Sequence, residues 1–208
     1  MEGLLRNEYH TFLGLTRRNV NVPSNTKIGS FLLFDKKACA SCLSPCASEG
    51  IICINSDIPI KEIIIEDYFQ QFQNTKADVK GRRCDELLYD DDNRRIAFLE
   101  MSCKSVGTSE DVQLLEGKRE VAYEQLDNSI KKLQEVTVIA EKINKFAEKS
   151  ALFAYRVMQR ASSIPSQLKN SLDAFMAPME LAENPNLSTE MDNGFKFRSI
   201  KFSEVYQW

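Results

Sequence analysis

The 208-residue sequence predicts an α/β fold in which a mixed central sheet is flanked by helices. Three observations support this prediction. Residues 83–104 have the pattern of a strand hairpin, residues 116–148 have the apolar spacing of a helix, and residues 151–158 form an apolar run typical of a buried strand. With a further helix predicted before the hairpin, the expected order of the core is helix, strand, strand, helix, strand.

The first helix of this core is predicted to begin at Pro59, because proline suits the first turn of a helix. Glu66 follows on this segment, and its phase places it toward solvent. The apolar positions that follow have helical spacing: Ile60, Ile63, Ile64, Tyr68, Phe69 and Phe72.

The hairpin is predicted from strands at 83–90 and 95–104 with a turn at 91–94. Side chains alternate along a strand, so Glu100, Ser102 and Lys104 are expected on one face. Solvated surface charges explain such a pattern equally simply. Glu100, however, lies within an apolar strand, where a carboxylate usually needs a partner or a metal. Acids on the two strands, Asp85 and Glu100, could converge on one divalent ion beside a phosphate.

The second helix and the third strand follow the hairpin directly. Lys149 and Ser150 break the helical pattern, and residues 151–158 are then predicted as the buried strand. The predicted helix has one stripe of apolar or small residues: Ala122, Leu126, Ser129, Ile130, Leu133, Val136, Ala140, Ile143 and Ala147.

This order of elements, with an acid at the head of the first hairpin strand and Glu100 late in the second, resembles the PD-(D/E)XK, or restriction-endonuclease-like, nuclease superfamily. The resemblance covers about half of the chain, from Pro59 to Met158. It implies that Asp85 and Glu100 hold Mg²⁺ or Mn²⁺ together with the backbone carbonyl of Met101. It also implies that Gln125, within a polar helix motif, lies near the site, and that Glu66 is an accessory candidate.

The chain departs from the family pattern at the lysine, because Ser102 stands where that residue is expected. Lys104, two residues further along the strand, is the first replacement candidate for the catalytic lysine. Lys118, near the start of the following helix, is the second, and Ser102 itself is kept as an accessory residue. The resemblance therefore predicts a metal-dependent nuclease acting on DNA or RNA, in prokaryotic defence or DNA processing. The alternative is a catalytically degenerate subunit that uses the same fold to bind proteins or nucleic acid.

A cysteine-rich loop precedes this core. Four thiolates within a short loop are enough for a zinc ion or an iron-sulfur cluster. A free, buried thiol is the ordinary alternative for the last of them, which lies between two isoleucines. The spacing Cys-x2-Cys-x3-Cys-x6-Cys comprises Cys39, Cys42, Cys46 and Cys53.

The composition predicts one elaborated domain with three parts: an N-terminal elaboration at 1–57, the nuclease-like core at 58–160, and a helix with a bulged edge strand at 161–208. We expect no membrane span, no signal peptide and a cytoplasmic location with reduced thiols. A net charge of −3 suits an isolated nucleic-acid binder poorly, so a partner subunit or a homo-oligomer is expected. Eight glycines and no phosphate loop argue against a nucleotide cofactor.

Overall fold

The computed structural model describes residues 1–12, 14–15, 20–34, 52–75, 78–79, 83–106, 111–157, 188–201 and 204–208, and within this part the side chains of 103–106, 111–115 and 156–157 are excluded. The helices are α1 (Glu2–Asn7), α2 (Tyr9–Phe12), α3 (Ile65–Gln70), α4 (Asp111–Gln134) and α5 (Thr137–Asn144). The strands are β1 (Ser24–Leu33), β2 (Ile52–Ile64), β3 (Glu86–Tyr89), β4 (Arg95–Val106), β5 (Glu148–Val157), β6 (Thr189–Glu190), β7 (Lys196–Lys201) and β8 (Val205–Gln207).

The described strands form one sheet with the order β1-β2-β3-β4-β5-β7-β6, and β8 pairs with the first half of β2. Strands β1 to β4 are antiparallel neighbours, whereas β5 is parallel to β4 and β7 is parallel to β5. The chain reaches β5 from β4 through α4 and α5, as a parallel connection requires. The predicted α/β fold with a mixed sheet and flanking helices is confirmed.

The two faces of the sheet bury different clusters. On one face, which we call the helix face, Phe98 and Phe153 pack with residues of α1, α2, α3, α4 and α5. On the other, which we call the opposite face, Leu99 and Leu152 pack with neighbouring strands and with Tyr206 of β8. Because side chains alternate along each strand, one strand supplies both clusters.

The predicted hairpin is present, and its turn has a clear chemical basis. Asp90, which is almost fully buried, accepts hydrogen bonds from the backbone N–H groups of Arg94 (2.9 Å) and Arg95 (2.8 Å). Asn93 has a φ of 59°, a conformation that asparagine tolerates better than most residues. The side chain of Asp90 therefore replaces a backbone acceptor and reverses the chain between β3 and β4.

The prediction that a helix begins at Pro59 is wrong. Residues up to Ile64 belong to β2, and the helix α3 begins at Ile65. The register of β1 with β2 shifts between Lys27 and Gly29, which leaves the segment around Pro59 as a bulge. Proline has no N–H group to contribute to a ladder, so a bulge accommodates it inside a strand.

Three further features of the fold differ from what the sequence suggested. The helix expected over 116–148 is two helices, because the chain turns at Glu135 and Val136. The strand predicted near 195–202 is not an edge strand, since β7 lies between β5 and β6. Strand β2 runs across the expected boundary between residues 57 and 58, so the N-terminal part and the core share one sheet.

Parts of the prediction fall outside the described residues, namely the helical segment after residue 161 and most of the cysteine-rich loop. Of the helices that the structure describes, none is both long enough and apolar enough to cross a bilayer.

Candidate acidic site on the helix face

The two candidate metal-binding acids lie close together where the ladder between β3 and β4 ends. The last pair is Glu86 with Leu99, and the N–H of Asp85 also donates to the carbonyl of Leu99 (3.0 Å), as at a β-bulge. Glu100 alternates with Leu99 and Met101 of the opposite-face cluster, so it lies on the helix face. The charges of both acids raise the pKa of the buried Cys84 thiol, so both carboxylates lie near that thiol. Two neighbouring carboxylates can share one cation.

The carboxylate of Asp85 is held against the backbone of β4. Its Oδ2 accepts a hydrogen bond of 2.6 Å from the N–H of Met101. The N–H and C=O groups of one strand residue point to the same side, as the exchanged bonds of an antiparallel pair require. The Met101 carbonyl therefore faces the side on which Asp85 lies.

Helix α3 begins at this point. The N–H groups of Ile65 and Glu66 both donate to the carbonyl of Asp85, at 2.9 and 3.2 Å. Glu66 is half-buried, whereas its sequence phase placed it toward solvent. The phase argument failed because it assumed a helix from Pro59, and the shorter helix brings Glu66 next to the acid pair.

Glu100 and Ser102 lie beside two aromatic residues of β5. Glu100 pairs with Phe153, and Ser102 pairs with Tyr155. The two rings stack with centroids 5.6 Å apart. The Oε2 atom of Glu100 is buried. Apolar walls of this kind strengthen the interaction of a carboxylate with a cation, because they exclude water.

Helix α4 is fixed to the strand that carries Asp85 by two polar side chains. Gln125 donates to the carbonyl of Arg83 (2.8 Å). Ser129 accepts from the N–H of Cys84 (2.9 Å) and donates to the carbonyl of Gln125 (2.8 Å). Gln125 was predicted to lie near the site, and its amide does bind the backbone two residues before Asp85.

The thiol of Cys84 is fully buried between these groups. Burial raises the pKa of Cys84 well above its usual range, the Ser129 hydroxyl opposes this, and the charges of Glu100 and Asp85 raise it further. The thiol therefore stays protonated at neutral pH and acts as a small apolar residue under the acid pair.

The two lysine candidates have different placements. Lys118 is half-buried and lies on the stripe of α4 that includes Ala122, Gln125 and Ser129, about 10 Å from Gln125 along the helix axis. Lys104 lies where the β4–β5 register shifts between Ser102 and Val106, so strict alternation does not fix its face. The side chain of Lys104 is outside the described part of the chain.

The donors at this site suit a hard cation. Within the described residues, no group of three or more His, Cys, Asp or Glu side chains is arranged to hold a metal. Mg²⁺ and Mn²⁺ prefer oxygen ligands, and Mg²⁺ is commonly held by one or two carboxylates plus water and substrate phosphates. The pair of Asp85 and Glu100 with the Met101 carbonyl fits that requirement.

The cysteine-rich loop contributes one described residue. Cys53 lies on β2 as a free, half-buried thiol, paired with Leu32 on one side and Val205 on the other. Cys39, Cys42 and Cys46 lie outside the described residues, so the predicted zinc site remains a prediction.

No protein-family model, curated protein or solved structure matches this chain at a significant level.

Sequence reasoning missed Ser129 and Tyr155 as site neighbours. Ser129 was counted as one small residue of the apolar stripe, yet a hydroxyl in a buried stripe is itself a signal, because it needs a hydrogen-bond partner. Tyr155 was counted as part of a buried strand. Its place beside Ser102 depends on the β4–β5 register, which the sequence does not specify.

Proposed function

We propose that this protein is a metal-dependent nuclease that hydrolyses phosphodiester bonds with Mg²⁺ or Mn²⁺ at the acid pair. The observation that supports this most strongly is that the carboxylate of Asp85 accepts a hydrogen bond of 2.6 Å from the N–H of Met101, the residue that follows Glu100. A restriction-endonuclease-like core is part of the same proposal, supported by the order from α3 to β5.

The residues of the chain have separable roles in this proposal. Asp85 and Glu100 bind the cation, and the hydrogen bond from Met101 fixes the orientation of Asp85 before any ligand arrives. Gln125 and Ser129 position the strand end by binding the backbone of Arg83 and Cys84. A bound divalent ion supplies an activated water and screens the charge of the phosphate.

The positive charge that the family pattern places at residue 102 must come from elsewhere. Lys118 is the better candidate on geometry, because it lies on the same helix stripe as Gln125. Helix α4, which carries Lys118, contacts β4. Lys104 is the competing candidate.

The class of substrate, a phosphodiester, follows from the chemistry of the acid pair and not from the fold. A cation held by two carboxylates serves DNA and RNA alike. A net charge of −3 favours recruitment by a partner subunit or a homo-oligomer. A role in prokaryotic defence or DNA processing is proposed from the family resemblance alone.

The test is cleavage of labelled single- and double-stranded DNA and RNA with Mg²⁺, Mn²⁺ or EDTA. Asp85→Asn and Glu100→Gln should abolish cleavage, and the exposed Glu124→Gln on α4 should not. Mn²⁺ binding measured by calorimetry should disappear in the same two variants. Metal binding without cleavage of any substrate would favour the degenerate-subunit alternative, which Ser102 supports.

The lysine assignment is tested separately. Lys118→Ala or Lys104→Ala should remove cleavage while Mn²⁺ binding remains. Ser102→Lys in the inactive lysine variant places an amine on the strand beside Glu100, so recovery of cleavage would show that the missing charge was the defect. Full activity in the double variant Lys104→Ala, Lys118→Ala would overturn both assignments.

A further inference from the structure

A cleft of about 540 Å³ lies at the end of the sheet where β5 and β7 begin. It is formed by the first residues of three adjacent strands together with β8. The lining residues that matter for its chemistry are Arg95, Lys149, Lys196, Arg198, Tyr206 and Glu148.

The charge of this cleft is strongly positive for a chain with a net charge of −3. Four cations and one carboxylate are among its described lining residues. The carboxylate is that of Glu148, which is 62% exposed and contacts Arg95 at 2.8 Å. Such an exposed ion pair contributes little, so an incoming anion can compete with Glu148 for the guanidinium.

The cations are partly oriented before a ligand binds. Arg95 donates to the carbonyl of Gln207 at 3.2 Å, which fixes the guanidinium at the mouth of the cleft. Lys196 and Arg198 stand two residues apart on β7, so both side chains point to the same face. The planar fork of arginine matches a phosphate group in a bidentate manner, and preorganised donors bind it with less loss of entropy.

The cleft is separate from the acid pair. Arg95 and Glu100 are five residues apart on β4, roughly 16 Å by strand rise, and alternate residues place them on different faces. A small ligand in the cleft therefore does not reach the carboxylates. The volume lies within the range of small-molecule sites, about 300 to 1,000 Å³.

One wall of the cleft is aromatic. Tyr206 packs against the opposite-face cluster and forms an edge contact with Trp208, with ring centroids 6.4 Å apart. A ring held in this way offers a surface on which a nucleobase can stack. In this cleft the phosphates would be bound by side chains and not by a glycine-rich phosphate loop, of which the sequence has none.

We propose that this cleft binds a small phosphorylated ligand of the size of a nucleoside di- or triphosphate, with its phosphates on Arg95, Lys196 and Arg198 and its base beside Tyr206. The proposal does not depend on the nuclease activity, because binding is measured without a divalent metal and without cleavage.

The test titrates ATP and inorganic triphosphate into the protein by calorimetry in EDTA at low salt. Wild type should bind both saturably, and Arg198→Glu should weaken both by at least about tenfold. Arg198→Gln should weaken them less. Arg6→Glu, an exposed cation on α1 with the same change of charge, should leave them unchanged. Thermal melting of each variant checks that the fold is kept.

Several results would overturn the proposal. One is the absence of saturable binding of both probes to wild type, and another is an unchanged affinity in Arg198→Glu. Arg198-dependent binding of single-stranded DNA without binding of either small probe would replace the proposal with a nucleic-acid contact. Tyr206→Leu should weaken the binding of ATP and leave the binding of triphosphate unchanged. An equal change in the affinities for the two probes would overturn the role of Tyr206.

Discussion

Two regions of the central sheet differ in the sign of the charge that they present. In one region, Asp85 and Glu100 lie near the buried Cys84, and Glu100 is paired with Phe153. On the opposite face, at the far end of β4, Arg95 and Arg198 line a cleft. One strand thus contributes to an acidic site and a basic site. The net charge of the chain therefore does not reveal its two local sites, one suited to binding a cation and one suited to binding an anion.

The largest expected effect separates the two sites. Glu100→Gln should lower the proposed nuclease activity by about a thousandfold or more, because it removes one of the two proposed ligands of the cation. The affinity of the cleft for triphosphate should remain that of wild type. Cleavage rates and calorimetric titration of the same preparation measure both. A parallel loss of triphosphate binding would mean that the two faces are not independent.

The next effect concerns what holds the helix face in place. Ser129→Ala removes the acceptor for the N–H of Cys84 and leaves that buried group unsatisfied. We expect a loss of about 1 to 3 kcal/mol in the free energy of unfolding, measured by urea denaturation. Ser30→Ala, which removes an exposed hydroxyl bonded to Asn55, is the control. Equal losses in the two variants would contradict a special role for Ser129.

Alkaline pH should weaken the helix face through its buried tyrosines. Burial raises the pKa of Tyr89 to about 12, and burial also raises the pKa of Tyr68. An unfolded tyrosine ionises near pH 10, so between about pH 10 and 12 the unfolded chain releases protons that the folded chain retains. The stability contributed by these groups is complete below pH 10 and is lost as the pH rises.

Thermal melting at intervals from pH 8 to pH 11.5 measures this loss. Tyr89→Phe should flatten the decline above pH 10, because the substituted ring has no proton to release. The comparison is made between the pH profiles, since the variant also loses the hydroxyl at neutral pH. Identical profiles for wild type and Tyr89→Phe would show that other groups govern the alkaline transition.

The smallest effect tests the opposite face. Glu148→Gln removes the carboxylate from the cleft and frees Arg95 from its 2.8 Å contact. The affinity for triphosphate should rise by about two- to threefold, in keeping with the modest strength of an exposed ion pair. The gain should diminish in 0.5 M salt, because salt screens exposed charges. Weaker binding in Glu148→Gln would mean that the carboxylate helps to hold the ligand.

The hairpin and the crossover to β5 were predictable from the sequence because their signals are local. Alternating apolar residues flank a turn in which Asp90 and Asn93 have specific conformational roles. Most of the predicted helix stripe is buried, including Leu126 and Ile130, whereas Ala140 is half-buried and Ala147 is exposed beyond the end of α5. The proximity of Asp85 to Glu100 depends on the register that this short turn sets, which extends to the pair of Glu86 with Leu99.

Other features could not be predicted, because non-local pairing decides them. Ile60, Ile63 and Ile64 satisfy helical spacing, yet pairing with β1 and β3 makes them a strand. The spacing of a short apolar run does not distinguish the two states. The basic cleft could not be predicted from the sequence for the same reason, since Arg95, Arg198 and Tyr206 lie far apart in the chain.

The pairing of β8 with β2 also bears on how the molecule folds. The side chains of Asn55 and Gln207, joined by a hydrogen bond of 3.2 Å, are separated by 152 positions in the chain. Contacts between such distant residues form slowly, because a long loop must close first. During synthesis the acid pair and its helix emerge well before Tyr206. The nascent chain can therefore assemble the carboxylate site while the cleft is still incomplete.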